Sequence, residues 1–220
     1  MNRQKFLALL GLSVAGTSLF GARKKDTASL LTDCNDPITP PIPVGPYYKD
    51  EKLNRTLIAE HKQGLSIEYI FTVEDKHCKP IEGAIVDIWQ CDVDGHYSDF
   101  DKEKTVGQTW LRGFQKTGKD GKCRFASIFP GWYNGRLTHI HAKVHINNEN
   151  VLTTNCFFEK HVENEIFQHP LYTKGINPTT IAQDFELRGD KDTKRFDSLI
   201  MKISKEADGK LTGRYTFAIV

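Results

Sequence analysis

Residues 139–146, His-Ile-His-Ala-Lys-Val-His-Ile, alternate polar and apolar side chains with a period of two. This alternation is typical of a β-strand with one buried face. The apolar face is formed by Ile140, Ala142, Val144 and Ile146. The opposite face carries His139, His141, Lys143 and His145. Because the apolar face requires a core to pack against, the segment predicts a strand inside a layered domain.

Similar short segments recur along the chain and are separated by turns spaced roughly every 8–12 residues. The predicted strands cover residues 67–73, 83–90, 122–129, 137–146 and 151–158, and a final hairpin of residues 198–204 and 211–219. Short helical turns are expected around residues 162–168. We therefore predict an all-β fold, a β-sandwich of mixed or antiparallel strands with long loops and short helical turns.

The chain has 220 residues, of which 39% are hydrophobic and 26% charged. This size suits one domain of about 100–200 residues and a targeting segment. The formal net charge of +2 is too small to indicate a nucleic-acid or membrane-surface partner, and the sequence has no basic stripe.

The first residues have the pattern of an export signal. Arg3 and Lys5 precede an apolar or small stretch, residues 6–21, that is short for a membrane-spanning helix of about 20 residues. Residues 3–7 resemble a twin-arginine signal in which Gln4 replaces the second arginine. We assign residues 1–22 to the export signal, 23–43 to a Pro-rich linker and 44–220 to a single domain. The expected location is periplasmic or extracellular, and membrane anchoring at the N-terminus stays open.

The chain has five cysteines, none in Cys-x-x-Cys spacing, so a cysteine zinc site is not expected. In an exported protein one or two disulfides are expected, and the odd number leaves at least one cysteine without a partner in the chain. The cysteines are Cys34, Cys78, Cys91, Cys123 and Cys156.

His139 and His141 can bind one cation together. On a strand their Cα atoms lie roughly 6.6 Å apart, whereas His145 lies about 13 Å beyond His141, too far for the same ion. Phenolate oxygen is a hard, anionic donor, and tyrosine is a known ligand of ferric iron. With Tyr97 and Tyr133 as further ligands, two phenolates and one hydroxide would balance a +3 ion. Such a neutral site costs less to bury than a charged one.

The residues around these four candidates resemble the intradiol ring-cleavage dioxygenases, non-haem Fe(III) enzymes of the catechol and protocatechuate dioxygenase type. The resemblance runs from about Thr39 to Leu171. Its motifs are Gly-Ala-Ile-Val-Asp-Ile-Trp-Gln-Cys-Asp-Val-Asp-Gly-His-Tyr-Ser (residues 83–98), Leu-Arg-Gly-Phe-Gln-Lys-Thr (residues 111–117) and Pro-Gly-Trp-Tyr-Asn-Gly-Arg-Leu-Thr-His-Ile-His (residues 130–141).

The resemblance implies an Fe(III) ion held by Tyr97, Tyr133, His139 and His141. It implies that Tyr97 stays bound, that Tyr133 leaves when the catechol arrives and takes up a substrate proton, and that Arg136 supplies a catalytic cation near the substrate. The reaction implied is cleavage of a catechol by O2 to a cis,cis-muconate-type dicarboxylic acid.

Weaker matches suggest substrate contacts from Tyr47 and Asn155, in addition to Arg136. Val44 and Asn155 depart from residues common in relatives, so the substrate stays undetermined among protocatechuate, catechol, hydroxyquinol and larger catechols. Formation of a homo-oligomer also stays open.

Two other functions compete with this interpretation. Residues 80–86 and 117–125 also resemble transthyretin-like β-sandwich modules, which serve as non-catalytic binding domains. Such a module has no need for two tyrosines and two histidines at these positions. A zinc hydrolase using His139 and His141 would need a third His, Asp or Glu ligand, which the motif does not suggest.

Overall fold

A computed structural model of the chain describes residues 37–189 and 193–219. The predicted export signal, most of the predicted linker and Cys34 therefore lie outside the described residues. The eight described strands are β1 (Ser66–Asp75), β2 (Ile85–Trp89), β3 (Arg112–Lys116), β4 (Lys122–Ile128), β5 (His139–Ile146), β6 (Glu149–Phe158), β7 (Ile200–Lys205) and β8 (Leu211–Ile219). Two helices follow β6, namely α1 (Lys160–Ile166) and α2 (Thr193–Asp197). Short 3-10 helices cover Asp101–Glu103 and Ile181–Gln183.

The strands hydrogen-bond in the order β3-β2-β5-β6-β7-β8-β1-β4. Neighbours are antiparallel except for β1 with β8 and β6 with β7. The β6–β7 pairing is limited to Phe157 with Ile200 and Phe158 with Met201. This short joint separates one four-stranded half from the other, and the prediction of an all-β fold with mixed strand directions is confirmed.

Both halves contribute side chains to one core. Ile140, Ala142 and Val144 of β5 are fully buried in the same cluster as Phe71 of β1 and Phe217 of β8. Burying a side chain such as Ile or Phe contributes about 1.5–3 kcal/mol. Because one face of β5 is held in this core, the histidines of its other face are placed at a defined position.

Residues 37–43, which the sequence assigns to the end of the linker, lie against the strands. The Thr39 N–H donates to Ala218 O at 3.0 Å, and the Ile42 N–H donates to Thr153 O at 2.9 Å. The Ile42 side chain is buried. These contacts lead the chain toward Tyr47, whose ring packs against Tyr97 and Tyr133.

Helix α1 lies close to the helical turns expected around residues 162–168. Within the part of the chain that the structure describes, no helix combines the length and apolar character needed to cross a membrane.

Candidate metal centre

His139 and His141 lie on central strand β5, between β2 and β6. Both are buried, and their Nε2 atoms approach to 3.0 Å. At that separation two nitrogen lone pairs repel unless a proton or a cation lies between them. The Trp89 ring stacks on His141, with the ring centroids 4.8 Å apart and an interplanar angle of 5°. This contact holds His141 in one orientation.

The tautomer of His139 follows from its partner. His139 Nδ1 lies 2.6 Å from Leu137 O, and a carbonyl oxygen can only accept a hydrogen bond. Nδ1 therefore carries the proton, and the lone pair of Nε2 faces His141 and Tyr133. A hydrogen bond from the second ring nitrogen to a carbonyl is how proteins orient a metal-binding imidazole.

Tyr133 comes from the loop that joins β4 to β5. Its hydroxyl lies 3.2 Å from His139 Nε2 and 3.5 Å from Arg136 Nη1. Gly135 has a φ of +83°, a conformation that favours glycine, and it turns this loop between the two side chains. Tyr133 is only partly buried, so it forms the more accessible side of the centre.

Tyr97 comes from the turn after β2. Asp92 Oδ1 accepts hydrogen bonds from the Asp94 and His96 N–H groups and so shapes this turn. The Tyr97 ring is 0% exposed, and its centroid lies 5.8 Å from that of Tyr133 and 5.9 Å from that of His141. Two elements distant in sequence thus bring Tyr97 to the other three predicted ligands.

The Tyr97 hydroxyl oxygen is buried and has no hydrogen-bond partner among the described residues. The Tyr133 hydroxyl interacts with this oxygen only weakly, through a contact outside ordinary hydrogen-bond geometry. A buried polar atom without a partner costs about 1–3 kcal/mol, so native proteins rarely keep one without a reason. A cation bound beside this oxygen would remove that cost.

The charges of the four side chains also suit a cation. Burial and the nearby Arg136 guanidinium hold the pKa of both His139 and His141 well below the usual histidine range. Burial raises the pKa of the Tyr97 and Tyr133 phenols. Both imidazoles are therefore neutral. The lone pair of His139 Nε2 faces the centre, whereas the Asn155 amide N–H donates to His141 Nδ1 and leaves the proton of neutral His141 on Nε2, between the two rings. The phenols ionise only if a cation supplies the balancing charge.

The donor set of two phenols and two imidazoles fits ferric iron. Among the described residues, no third His, Cys, Asp or Glu side chain joins the two histidines to complete a zinc site. Within residues 37–189 and 193–219, the group of three His, Cys, Asp or Glu side chains able to meet one ion is Asp92, Asp94 and His96, which includes neither of these histidines. Asp92 is already engaged there by backbone N–H groups and by Lys62, whose Nζ lies 2.6 Å from Oδ2.

Arg136 is buried, with 5% of its surface exposed. Its Nη2 donates to Asn155 Oδ1 at 2.6 Å, and its Nε lies 3.1 Å from both carboxylate oxygens of Asp184. The Asn155 amide also lies 2.9 Å from His141 Nδ1. Asn155, predicted as a substrate contact, thus links Arg136 to a histidine. Sequence reasoning missed Asp184, which lies in a loop beyond the matching motifs and carries no motif of its own.

Tyr47, the other predicted substrate contact, lies directly on the centre. Its ring stacks on Tyr97 with the centroids 4.0 Å apart and meets the Tyr133 ring edge-on at 5.6 Å. Phe100 meets Tyr47 at 5.0 Å. These aromatic rings form one wall beside the four candidate ligands.

Four of the five cysteines lie among the described residues. Cys91, Cys123 and Cys156 are buried free thiols, and Cys78 is disulfide-bonded. The expectation that at least one cysteine stays unpaired is confirmed. None of the three free thiols belongs to the cluster of candidate ligands, although Cys91 packs beside Tyr97.

Comparison with known sequences supports one family. A family model described as "Dioxygenase" matches residues 43–197. Catechol 1,2-dioxygenase 1 of Acinetobacter lwoffii is 32% identical over 101 residues, which cover 38% of this chain and 32% of that protein. Chlorocatechol 1,2-dioxygenase of Rhodococcus opacus is 29% identical over 115 residues, 44% of each chain. The chain thus matches less than half the length of these two curated relatives.

Solved structures match more of the chain. An intradiol ring-cleavage dioxygenase from Tetranychus urticae is 29% identical with a TM-score of 0.74, over 83% of this chain and 94% of that one. The dioxygenase domain of a carbohydrate-binding fusion protein from Streptomyces sp. SirexAA-E is 28% identical with a TM-score of 0.60, over 83% and 97%. Because the family model spans most of the chain, this protein belongs to the intradiol ring-cleavage dioxygenase family.

Proposed function

We propose that the protein cleaves a catechol-type aromatic between its two hydroxyl-bearing carbons, with O2 as co-substrate and a ferric ion held by Tyr97, Tyr133, His139 and His141. The observation that carries the proposal is the meeting of two neutral imidazoles and two phenols in one buried place, one phenol oxygen having no protein partner. Proteins of this family use non-haem iron, and the donor set here suits it.

A bound ferric ion would act as a Lewis acid and as a template on which the catechol reacts with O2 to give a cis,cis-muconate-type dicarboxylic acid. The chain's own residues set how the substrate is received. Tyr97 is completely enclosed and its backbone N–H donates to the Glu103 carboxylate, so we assign it as the phenol that stays in place.

Tyr133 is the phenol suited to exchange with substrate. It is the more exposed of the two, and the guanidinium of Arg136 lies near enough to its hydroxyl to hold it after it moves. We assign to its Oη the uptake of one substrate proton, a general-base role. Arg136 keeps a fixed positive charge beside that oxygen and would stabilise the electron density that develops on the substrate ring.

Tyr47 and Phe100 supply an aromatic wall that suits a flat ring. The names of the relatives mention catechol, chlorocatechol and 6-chlorohydroxyquinol as what those proteins act on. We therefore propose a catechol with small ring substituents as the substrate class for this chain.

The direct test is a ring-opening assay with catechol, 4-chlorocatechol, hydroxyquinol and protocatechuate on iron-loaded protein. Tyrosinate bound to Fe(III) should give a visible absorption band and a red preparation. We expect Tyr133→Phe to change the band and to lower turnover by about 100-fold or more, as for loss of a general base.

Tyr48→Phe is the matched control, because the Tyr48 hydroxyl donates to Asp87 at 3.1 Å and contacts none of the four candidate ligands. It should leave band and turnover unchanged. A protein that stays colourless and inactive after ferric reconstitution would refute the proposal and favour a non-catalytic binding module.

We also propose that the chain is exported. The basic start and apolar stretch of residues 1–22 support this, as does the disulfide at Cys78, since disulfides persist in oxidising compartments. Fractionation of cells producing the tagged full chain should recover it outside the cytoplasm. Recovery of the full-length chain only from the cytoplasm would refute export.

A further inference from the structure

Asp184 is a fully buried carboxylate that lies outside the family motifs, and it contacts the guanidinium of Arg136. It follows the 3-10 helix Ile181–Gln183, 48 residues after Arg136, and is 0% exposed. Besides Arg136 Nε, it accepts the Leu137 N–H at 2.7 Å and the Glu186 N–H at 2.9 Å. A buried carboxylate that accepts this many hydrogen bonds is held in one orientation opposite the Arg136 guanidinium.

These contacts determine which edge of Arg136 faces the candidate ligands. The guanidinium is planar and has five N–H groups in a rigid fork. Asp184 occupies the Nε side, Asn155 occupies Nη2, and Nη1 points to the Tyr133 hydroxyl at 3.5 Å. With Nε and Nη2 both held, the plane cannot turn, so Nη1 remains directed at the phenol expected to move.

The backbone around Arg136 is held by separate contacts. Asn177 Nδ2 donates to Arg136 O at 3.0 Å, and the Phe185 N–H donates to Gly135 O at 3.0 Å. These two bonds do not involve the Asp184 side chain. Changing the carboxylate should therefore release the guanidinium while the loop stays in place.

We propose that Asp184 is a positioning residue for ring cleavage, which acts by aiming Arg136 at the Tyr133 oxygen. This inference rests on the proposed function, because Arg136 matters only if the centre processes a substrate. Asp184 contacts none of the four candidate ligands directly, so its effect on the reaction is expected to pass through Arg136.

The test is a double-mutant cycle with Asp184→Asn and Arg136→Ala, made in iron-loaded protein. Asp184→Asn keeps the size of the side chain and an oxygen for the Leu137 N–H but removes the charge. In the wild-type background we expect turnover to fall about 10- to 100-fold, the usual effect of changing an outer partner of a metal site. Iron content and the visible band should stay close to wild type, because all four ligands remain.

In the Arg136→Ala background the same substitution should change turnover less than about 3-fold, since there is no guanidinium left to aim. Asp184→Glu, which restores the charge, should recover part of the lost turnover. An equal loss in both backgrounds, an unchanged turnover, or loss of iron from Asp184→Asn would each overturn the proposal, the last because Asp184 would then maintain the ligands themselves.

A second measurement covers the case in which Asp184→Asn does not fold or the wild type has no ring-cleavage activity. The Arg136 Nε proton, bonded to a buried carboxylate, should exchange slowly with solvent by NMR in wild-type protein. Asp184→Glu should keep that protection, and fast exchange in wild-type protein would overturn the positioning role. Wild-type inactivity on every catechol together with slow exchange would refute the proposed function and leave the contact itself intact.

Discussion

The Tyr97→Phe substitution should stabilise the metal-free protein and weaken its binding of iron. The Tyr97 hydroxyl is buried and has no hydrogen-bond partner among the described residues. Without a cation, the folded state bears the cost of removing that hydroxyl from water and recovers only the weak interaction with the Tyr133 hydroxyl. Phenylalanine keeps the ring contacts with Tyr47, Tyr133 and His141 while removing the oxygen.

The size of the effect follows from these contacts. An unsatisfied buried polar group costs about 1–3 kcal/mol, so removing the hydroxyl should raise the free energy of unfolding. The van der Waals contacts that the oxygen made are lost at the same time, which reduces this increase. We expect a net gain of about 1 kcal/mol, which is about 2–4 °C in the unfolding midpoint of a domain this size. Thermal unfolding of the chelator-treated protein, followed by circular dichroism, measures it directly.

Addition of ferric iron should reverse the order of stability. Iron stabilises only the form that binds it, so it should raise the midpoint of the wild type well above that of Tyr97→Phe. The control is Tyr172→Phe. The Tyr172 hydroxyl donates to Phe129 O at 2.9 Å and accepts the Leu65 N–H at 3.2 Å, so its loss should destabilise the protein by about 1–2 kcal/mol.

Metal-free Tyr97→Phe that is destabilised as much as Tyr172→Phe would show that the Tyr97 oxygen is satisfied without a cation. Full iron stabilisation of Tyr97→Phe would show that this oxygen is not a ligand. Either result would refute the reasoning.

Two further predictions concern stability. Burial and Arg136 hold the pKa of His139 and His141 well below the usual value, so below about pH 6.5 the unfolded chain binds more protons than the folded one. The free energy of unfolding of the metal-free protein should therefore fall by about 1.4 kcal/mol per pH unit for each histidine as the pH is lowered. Urea unfolding at several pH values measures this, and a free energy of unfolding that does not change would contradict it. Gly135→Ala should destabilise the protein more than Gly83→Ala. Both glycines have positive φ, so an alanine costs about 1–2 kcal/mol at either position, but of the two only at Gly135 would the new Cβ overlap a side chain, the Phe185 ring. Equal unfolding midpoints of the two variants would show that the Phe185 ring can move aside without cost.

The strands that could be predicted from the sequence are those whose side chains alternate. Strand β5 and the strand β1 show the period of two directly, because one face of each lies in the core. Strand β3 was not predicted. Its sequence, Arg-Gly-Phe-Gln-Lys, is five residues long and has a single large apolar side chain, so it shows no alternating apolar face. It forms a strand because its backbone pairs with β2.

The candidate ligands could be found because they fall within local motifs, whereas the contacts around them could not. Asn155 was predicted as a substrate contact, but its pairing with His141 across β5 and β6 depends on strand register. Asp184 reaches Arg136 across 48 residues from a loop with no periodicity. A contact of this kind depends on how two loops meet in space, which no local pattern of residues encodes.

The two sides of the centre are built differently, and the difference suits a site that must exchange one ligand. On one side, His141 stacks on Trp89 and Tyr97 is enclosed, so neither can move without disturbing packed neighbours. On the other, Tyr133 lies in a glycine-containing loop, partly exposed, with its hydroxyl beside a guanidinium held by Asp184. We therefore expect Tyr133 to be the protein ligand that leaves when a two-oxygen substrate binds, because the residues on the opposite side are fixed by the core.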